Sequence, residues 1–463
     1  MSEQNHSSVQ KENKMGVMPV GKLVFNMSLP MMISMLVQAL YNIVDSIFVA
    51  KISENALTAV SLAFPLQTLL IAVAAGTGVG INAVLSKSLG EKNFKRANDS
   101  AINGAFLFFL SYIVFLILGL TIVKPFYAGQ TANADPEIFT YGVQYLSIVL
   151  MCSFGLFAQI FFERLLTSTG RTFFSMLSQL IGALTNIILD PILIFGLLGA
   201  PKMGVAGAAV ATVIGQCFAG ILSFTFNIVF NHDIHFSLKG FHPDPVMIKT
   251  IYKVGVPSII MQAIGSVMTY CMNLILIGFT STATAVFGVY FKLQSFFFMP
   301  LFGMNNGITP IIAYSYGAKQ RKRMIKTIKL SLMVAFGLMM FGFAAFEFFP
   351  GFLLGFFDAS PALLEIGIPA LRIIAVHFLV AWFCIIVGTV FQSLGFAVYS
   401  LVVSVMRQLV VLIPAAYLLA QLGNVKYVWW AFPIAEIMSF AVSTFFFVKI
   451  YRNIISKLPD GRE

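Results

Sequence analysis

The chain has 463 residues, with 29 Lys and Arg against 18 Asp and Glu and a formal net charge of +11. Apolar residues make up 59% of it and charged residues only 10%, whereas a soluble domain carries about 25% charged residues. This composition excludes soluble enzymes, disordered proteins and nucleic-acid binders in spite of the basic balance, and it predicts an all-α integral membrane protein.

About a dozen segments have the roughly 20 apolar residues that a spanning helix needs. Residues 1–20 are polar and lack a short apolar core with a cleavage site, so we expect no removable signal peptide. The predicted spans are 23–50, 56–85, 98–123, 137–166, 172–198 and 204–230 in the first half, and 249–278, 283–315, 325–350, 361–393, 397–421 and 428–451 in the second.

The two halves of the chain repeat each other. An offset of 227 residues places Pro30 on Pro257 without a gap, and an ordered set of further identities follows it. We therefore predict two pseudosymmetric six-helix lobes, and an even number of helices per lobe makes the repeats parallel, related by an axis along the membrane normal. The further pairs are Gln67 and Gln294, Gly76 and Gly303, Gly80 and Gly307, Gly90 and Gly317, Lys92 and Lys319, and, at slightly smaller offsets, Gly170 and Gly395, and Pro191 and Pro414.

The polar stretch at 231–246 separates the halves and contains His232, His235 and His242. Their irregular spacing in a loop favours a solvated linker over a metal site. The predicted organisation is a tail (1–20), an N-terminal lobe (21–230), the linker (231–246), a C-terminal lobe (247–452) and a second tail (453–463).

Most Lys and Arg residues fall in loops on one side of the predicted bundle. Cytoplasmic loops are enriched in these residues, so we expect both tails and the linker in the cytoplasm. The bilayer, with its anionic headgroups, is then the partner of the net positive charge. The other side has only four: Lys51, Lys124, Lys202 and Lys426.

Polar residues recur on one face of two spans of the first half. In the first span the intervals between Gln38, Asn42 and Asp45 are four and three residues. This spacing places the three side chains on one face of a helix. In the fifth span Asn186 lies one turn before Asp190, and Pro191 follows at once. Proline removes an N–H donor and frees a carbonyl one turn back.

These side chains form an oxygen set for a cation. Carboxylate, amide and hydroxyl oxygens bind Na⁺, and a carboxylate with hydrogen-bonded neighbours binds a proton. The alternative is that these polar groups only hold neighbouring helices together. For the amides and the hydroxyl alone that alternative is the better interpretation. Two acids in two spans favour ion binding, because burying an acid in a bilayer is costly. The predicted coupling-cation or Na⁺ site comprises Asp45, Asn186, Asp190 and Thr212.

The second half lacks those acids and has cations instead. Met272 and Ile413 lie at the levels of Asp45 and Asp190. Glu436 is a candidate partner for a basic residue of its own half, and Glu163 is expected to pair with the adjacent Arg164. The candidate substrate-cavity residues are Gln38, Asn42, Gln67, Lys292, Gln294 and Arg407.

No catalytic constellation is recognisable, and His377 is interpreted as a satisfied interior group. No phosphate loop of the Walker type occurs, so we expect neither ATP nor any other cofactor. The four cysteines lie in apolar segments without disulfide or metal spacing. These features favour transport without catalysis.

The pattern resembles the multidrug and toxin extrusion (MATE) family of the MOP flippase superfamily, over about residues 20–452. Within that family, the confinement of the acids to the first half resembles the DinF-like prokaryotic branch. The NorM-like branch has acids in the seventh and tenth spans, where this chain has only Glu365 at a helix entrance. The motifs are Ser28–Leu29–Pro30, Asn186-x-x-x-Asp190–Pro191, the run Gly204–Val205–Ala206–Gly207–Ala208–Ala209, and Phe291–Lys292–Leu293–Gln294.

The resemblance implies a V-shaped pair of lobes in a bacterial plasma (inner) membrane, exporting organic cations in exchange for H⁺ or Na⁺. It assigns a cation role to Asp45, Asn186 and Asp190, and less directly to Thr212. The alternative is a flippase for a lipid-linked saccharide. An anionic pyrophosphate cargo would need several cavity Arg or Lys residues in the N-terminal half, which has none in the middle of a span.

Overall fold

The computed structural model of this chain describes residues 13–131, 136–234, 241–357 and 360–460. The N-terminal lobe comprises α1 (Val20–Ala50), α2 (Glu54–Gly90), α3 (Phe94–Thr121), α4 (Pro136–Met151 and Phe154–Ser168), α5 (Thr172–Phe195) and α6 (Val205–Phe230). The C-terminal lobe comprises α7 (Pro245–Ile277), α8 (Ser281–Gly317), α9 (Arg321–Phe348), α10 (Pro361–Ala375 and Phe378–Ser393), α11 (Ala397–Ala420) and α12 (Val425–Lys457). Three shorter helices are Lys14–Val17, Val123–Gln130 and Pro350–Gly355.

The described residues confirm an all-helical membrane protein. Ten helices are each long and apolar enough to cross a bilayer, and two bent pairs bring the number to twelve. The fourth and tenth spans, which the sequence predicted at 137–166 and 361–393, are each bent, α4 by 43° and α10 by 51°. At the second bend the His377 ring nitrogen Nδ1 lies 2.5 Å from the Ile374 carbonyl oxygen, which takes that carbonyl out of the regular helical pattern.

The eleventh span also differs from a regular α-helix. Residues Met406–Leu412 form a π-helix directly before Pro414. Proline has no N–H to donate, so the turn before it is free to widen. In contrast, α5 remains one α-helix through Pro191, the repeat counterpart of Pro414.

The backbone repeats between the lobes as the sequence predicted. Lys92 and Lys319, 227 residues apart, both adopt left-handed φ angles, of 56° and 55°. Gly170 and Gly395, which follow α4 and α10, also match, with φ angles of 89° and 86°. Left-handed backbone is uncommon outside glycine, so the two lysines identify the same turn in both lobes.

The lobes contact each other through pairs of glycines that the repeat relates. A Cβ atom added to Gly90 would lie 2.1 Å from the Tyr314 carbonyl oxygen, and one added to Gly317 would lie 2.1 Å from the Lys87 carbonyl oxygen. Position 87 is the counterpart of position 314, so the two contacts exchange under a pseudo-twofold rotation. A Cβ atom would therefore prevent this approach of the backbones.

The glycine contacts between the lobes lie toward one end of the spans. Both termini lie at the same end of an even number of spans, and we call this the terminal side and the opposite end the far side. Gly76 packs on Ile259 of α7, and Gly303 packs on Met31 of α1. Both glycines lie 14 residues, or about 21 Å, from the terminal ends of α2 and α8. Farther toward the far side, the same faces of α7 and α8 have exposed aromatic residues, Tyr270 at eleven residues beyond Ile259 and Phe296 at seven before Gly303. We infer from this that the lobes separate there and leave a cleft open to the far side.

A short N-terminal segment bridges the lobes on the terminal side. The Asn13 amide donates to the Thr169 carbonyl, at 3.1 Å, in the N-terminal lobe. Arg323 of the C-terminal lobe donates from Nε to the Met15 carbonyl, at 2.7 Å, and from Nη2 to the Met18 carbonyl. Burial, and then the charge of Arg171, lower the pKa of Lys14 in this segment. The segment and the glycine contacts together close the terminal side.

The connection between the lobes is anchored at both ends to the N-terminal lobe. Arg171 forms an ion pair with Asp233, and the Asp244 N–H donates to the Asn103 side-chain oxygen at 2.9 Å. The predicted linker position His235 lies outside the described residues, whereas His232 and His242 lie within them.

Candidate cation site in the N-terminal lobe

Small residues bring α5 and α6 into close contact. A Cβ atom added to Gly207 would lie 2.6 Å from the Leu193 carbonyl oxygen, and one added to Gly215 would lie 2.7 Å from the Gly182 carbonyl oxygen. Such glycines let two backbones approach closely. The approach places the α6 side chains directly beside the polar face of α5.

Asn186 joins the two helices at this contact. Its amide Nδ2 lies 3.2 Å from the Thr212 hydroxyl and 3.3 Å from Oδ1 of Asp190. The Thr212 hydroxyl donates to the Ala208 carbonyl at 3.0 Å, one turn back in α6. The three predicted residues of α5 and α6 therefore form one hydrogen-bonded group.

Asp45 of α1 completes the group. Its carboxyl lies within hydrogen-bonding reach of the Asp190 carboxyl, although the two are 145 residues apart in the chain. Asp190 is 0% exposed and Asn186 is 3% exposed. Two carboxylates cannot both remain ionised at such a distance away from water unless a proton or a cation lies between them.

Three oxygens in this group have no hydrogen-bond partner. They are Asp45 Oδ1, Asp190 Oδ2 and Asn186 Oδ1, and all are buried. A buried polar atom without a partner is costly and calls for an explanation. Two carboxylate oxygens and one amide oxygen, with the Thr212 hydroxyl adjacent, are the ligand types that a hard monovalent cation prefers.

A ladder of amides continues from this group along α1 and α5. Gln38 accepts a hydrogen bond from Gln179 at 3.2 Å, and Gln179 in turn accepts one from Ser34. Ser34 was not among the predicted residues, because a serine in an apolar span is common and gives no signal on its own. The remaining α1 candidate, Asn42, is exposed.

Tyrosines of α1 and α4 also surround the acids. Tyr41 and Tyr145 lie close enough to interact electrostatically with both carboxyls, and Gln67 donates to the Tyr145 hydroxyl at 3.0 Å. Sequence reasoning identified Gln67 by its repeat counterpart but missed both tyrosines. Their hydroxyls are indistinguishable in sequence from those of the other aromatic residues of the bundle.

The charged residues of the C-terminal lobe do not form an equivalent group. Arg407 of α11 pairs with Glu436 of α12 at 3.2 Å, and Glu436 is 3% exposed. Lys292 is exposed and Gln294 is half-buried. This ion pair agrees with the prediction that Glu436 serves a basic residue of its own half.

The charges of Glu163 and Arg164 interact, but the two side chains make their direct polar contacts with other partners. The Glu163 carboxylate accepts hydrogen bonds from Gln159, at 3.0 Å, and from Ser178. Arg164 instead donates to Asn306 of the other lobe, at 2.9 Å. Adjacent residues of a helix point about 100° apart, so Glu163 faces its own lobe while Arg164 faces the contact between lobes.

Two repeated lobes, a cleft between them and a buried acidic group beside that cleft define a membrane transporter built on parallel repeats. The sequence model of the MatE family matches residues 30–192 and 257–418, one copy in each lobe. The chain belongs to the MATE family of transporters.

Similar proteins support this assignment. A multidrug export protein MepA of Staphylococcus haemolyticus strain JCSC1435 is 30% identical over 325 residues, which cover 69% of this chain and 70% of that protein. A MepA of Staphylococcus aureus strain MRSA252 is 26% identical over 429 residues, covering 90% and 91%. A solved structure described as the outward-facing conformation of a multidrug resistance MATE family transporter superposes with a TM-score of 0.89, at 25% identity, over 97% of this chain and 98% of that one.

Proposed function

We propose that this protein is a secondary active multidrug exporter that antiports amphipathic organic cations against H⁺ or Na⁺. The observation that supports this most directly is the pair of facing carboxyls, Asp45 and Asp190, with three buried oxygens that have no partner. A site of this kind gains stability by taking up one proton or one cation. Multidrug export by the MepA relatives supports the choice of cargo.

Coupling requires only that ion and cargo favour opposite-facing conformations. The acids lie in α1 and α5, and α1 also packs on α8 through Gly303 and Gly307. Ion binding at Asp45 therefore acts on a helix that forms part of the contact between lobes. If the ion and the drug stabilise different arrangements of that contact, their movements are linked without direct contact.

The cleft surfaces fit an amphipathic cargo. Tyr270 of α7, eleven residues beyond Ile259 on the face that packs on Gly76, is 65% exposed. Aromatic faces bind both apolar groups and organic cations. We infer that the cargo lies against the acidic lobe and makes aromatic contacts with both lobes.

Transport by the purified protein in liposomes tests the function. The probe is an ethidium-type cation, and inwardly directed H⁺ and Na⁺ gradients are imposed in separate experiments. A coupled gradient should drive export above the rate measured in liposomes without a gradient. The gradient that drives it identifies the coupling ion. Equal rates with and without each gradient would contradict antiport.

The lipid-linked saccharide flippase is the weaker candidate. A pyrophosphate would need basic groups on the cleft wall of the N-terminal lobe, but the side chains gathered there are acids, amides and hydroxyls. Arg164, a half-buried base of this lobe, is bound to Asn306 at the terminal-side contact.

We also propose that the terminal side is cytoplasmic, with the linker at 231–246 and both tails there. Lys202 and His232 are both exposed, on opposite sides of the bundle. In a cysteine-free background, a membrane-impermeant maleimide applied to intact cells should modify a cysteine at position 202 but not one at position 232. Permeabilised cells, in which both should react, are the control, and the reverse pattern in intact cells would invert the topology.

A further inference from the structure

The first turns of α9, on the terminal side, have several basic side chains on one face. This face and the end of the chain border an open groove of about 420 Å³, which we call the basic groove. Its three lysines are exposed to water. The residues that line the groove are Arg321, Lys322, Ile325, Lys326, Lys329 and Asp460.

The chain end forms the opposite wall of the basic groove. Gln320 and Asp460 pair as an antiparallel β-bridge, and a carboxylate oxygen of Asp460 lies 3.8 Å from Nη1 of Arg321. Both side chains are accessible to water, so this ion pair is weak. The groove therefore accommodates an anionic group, and its three lysines have no acidic partner in the described part of the chain.

The repeat indicates that the fold does not require these lysines. The turns that precede α3 and α9 are the same, with left-handed φ angles of 56° and 55°. Positive-inside topology needs basic residues on this side but not their convergence on one groove. At the start of α3 the counterparts of Lys322, Lys326 and Lys329 are Lys95, Asp99 and Ile102.

Arg323 holds the turn that carries the basic groove in place. It points away from the groove and donates from Nε to the Met15 carbonyl, at 2.7 Å, and from Nη2 to the Met18 carbonyl. The groove is therefore fixed against the N-terminal segment before any ligand arrives. A site that needs no ordering on binding loses less free energy when it binds.

The lysines of the groove lie at the level of the lipid headgroups. Between Lys329 and Glu347 α9 has 17 residues without a charge, which span about 26 Å. The hydrocarbon core of a bilayer is about 30 Å thick, so Lys329 lies near its boundary. Lys322 and Lys326 are farther toward the terminal side and lie among the headgroups.

The same face of α9 continues beyond the lysines as apolar surface. Met333 and Phe336 follow Lys329 by four and seven residues, the spacing of one helical face, and are 69% and 47% exposed. A soluble anion in the groove would leave this surface uncovered. A lipid would cover it, because its acyl chains extend from the headgroup into the hydrocarbon.

We propose that the basic groove binds the headgroup of an anionic phospholipid, whose acyl chains lie along Met333 and Phe336. The lysine ammonium groups donate charge-assisted hydrogen bonds to the phosphate oxygens. Basic pockets of this kind at the ends of spanning helices bind lipid headgroups. The site lies outside the cleft and is independent of the cargo and of the coupling ion.

Titration of the purified full chain in a neutral detergent tests the site. Dioctanoyl phosphatidylglycerol should bind saturably and raise the melting temperature, because it binds the folded protein. Dioctanoyl phosphatidylcholine has the same acyl chains without net charge, and glycerol 3-phosphate has an anionic phosphate without acyl chains. Each of these two ligands should bind with an affinity lower by about tenfold or more.

Removal of the three lysines should weaken binding of the anionic lipid. A lysine beside an anionic headgroup contributes about fivefold in affinity. The triple variant Lys322→Gln, Lys326→Gln and Lys329→Gln should therefore raise the half-saturating concentration of phosphatidylglycerol about 100-fold. Lys326→Gln alone should raise it about fivefold, and this single variant decides the matter if the triple variant does not fold.

Two control variants separate the groove from the general charge of the protein. The first is Lys95→Gln, Lys249→Gln and Lys253→Gln, which removes the same charge from exposed lysines on the same side and should bind the lipid as the wild type does. The second is Lys322→Arg, Lys326→Arg and Lys329→Arg, which keeps the charge of the groove and should retain binding.

Each outcome supports or contradicts the site. A loss confined to the groove variants, with recovery in the arginine variant, supports it. Unchanged binding in the groove variants, or an equal loss in the first control, would show that the attraction is diffuse. Binding of glycerol 3-phosphate as tight as that of phosphatidylglycerol would identify a soluble anion as the ligand and contradict the lipid.

Discussion

Asp190→Asn should yield a protein that folds and reaches the membrane but no longer couples export to an ion gradient. Asparagine preserves the size of the side chain and its contact with Asn186, 3.3 Å away, but it cannot hold a proton or a full negative charge. The group of unpartnered oxygens then loses most of its attraction for a cation. We expect the gradient-driven initial rate to fall by about 100-fold, at the upper end of typical coupling free energies.

The measurement is cation efflux from proteoliposomes, with protein amount and melting temperature determined in parallel. Asp45→Asn should reproduce the loss, because the two carboxyls face each other. Glu365→Gln, at an exposed residue near the far-side start of α10, should retain the wild-type rate. Normal gradient-driven export by Asp190→Asn would show that the coupling ion binds elsewhere.

Gly317→Ala should hold the terminal side partly open and slow transport. A methyl group at this position would lie 2.1 Å from the Lys87 carbonyl oxygen, so the lobes must move apart. Overpacking of this kind costs about 1–3 kcal/mol, and the population of the closed arrangement should fall about tenfold or more. Because a complete cycle requires that closure, the transport rate should fall by a similar factor.

Cysteine labelling reports this opening directly. The Asn306 side chain accepts a hydrogen bond from Arg164 at 2.9 Å, so position 306 is covered in the closed arrangement. In a cysteine-free background, the cysteine of Asn306→Cys should react faster with maleimide when Gly317→Ala is also present. Gly337→Ala is the matched control, because a methyl group at that α9 position would have no neighbour within 4 Å. Equal labelling in the two variants would mean that the contact at Gly317 does not control closure.

Several features of the fold were predictable because they are local or periodic. The spans follow from the lengths of apolar segments, and the repeat follows from an ordered offset that includes Pro30 and Pro257. The close contact of Gly207 with the Leu193 carbonyl follows from the run of small residues around it, because small side chains let two backbones approach. The bends at His377 and near Ser153 were not predictable, since each depends on how a single turn satisfies its carbonyl groups.

The candidate site was predictable only in part. Spacing placed Asn186 and Asp190 one turn apart, and the cost of burying charge identified Asp45 as a residue that needs an explanation. Tyr145 and Ser34 could not be selected, because a hydroxyl in an apolar span has no spacing that distinguishes it. The sequence suggested a direct ion pair between Glu163 and Arg164 only because they are adjacent, and adjacent side chains on a helix do not face each other.

The sequence by itself determined the class of the protein, its twelve spans, its two parallel lobes and the presence of acids in one lobe, because hydropathy and repeat spacing require no knowledge of distant contacts. Only the tertiary structure decided which charges meet. It brought Asp45 to Asp190 and Arg407 to Glu436. Charges interact over a few ångströms, and the packing of helices far apart in the chain sets those distances.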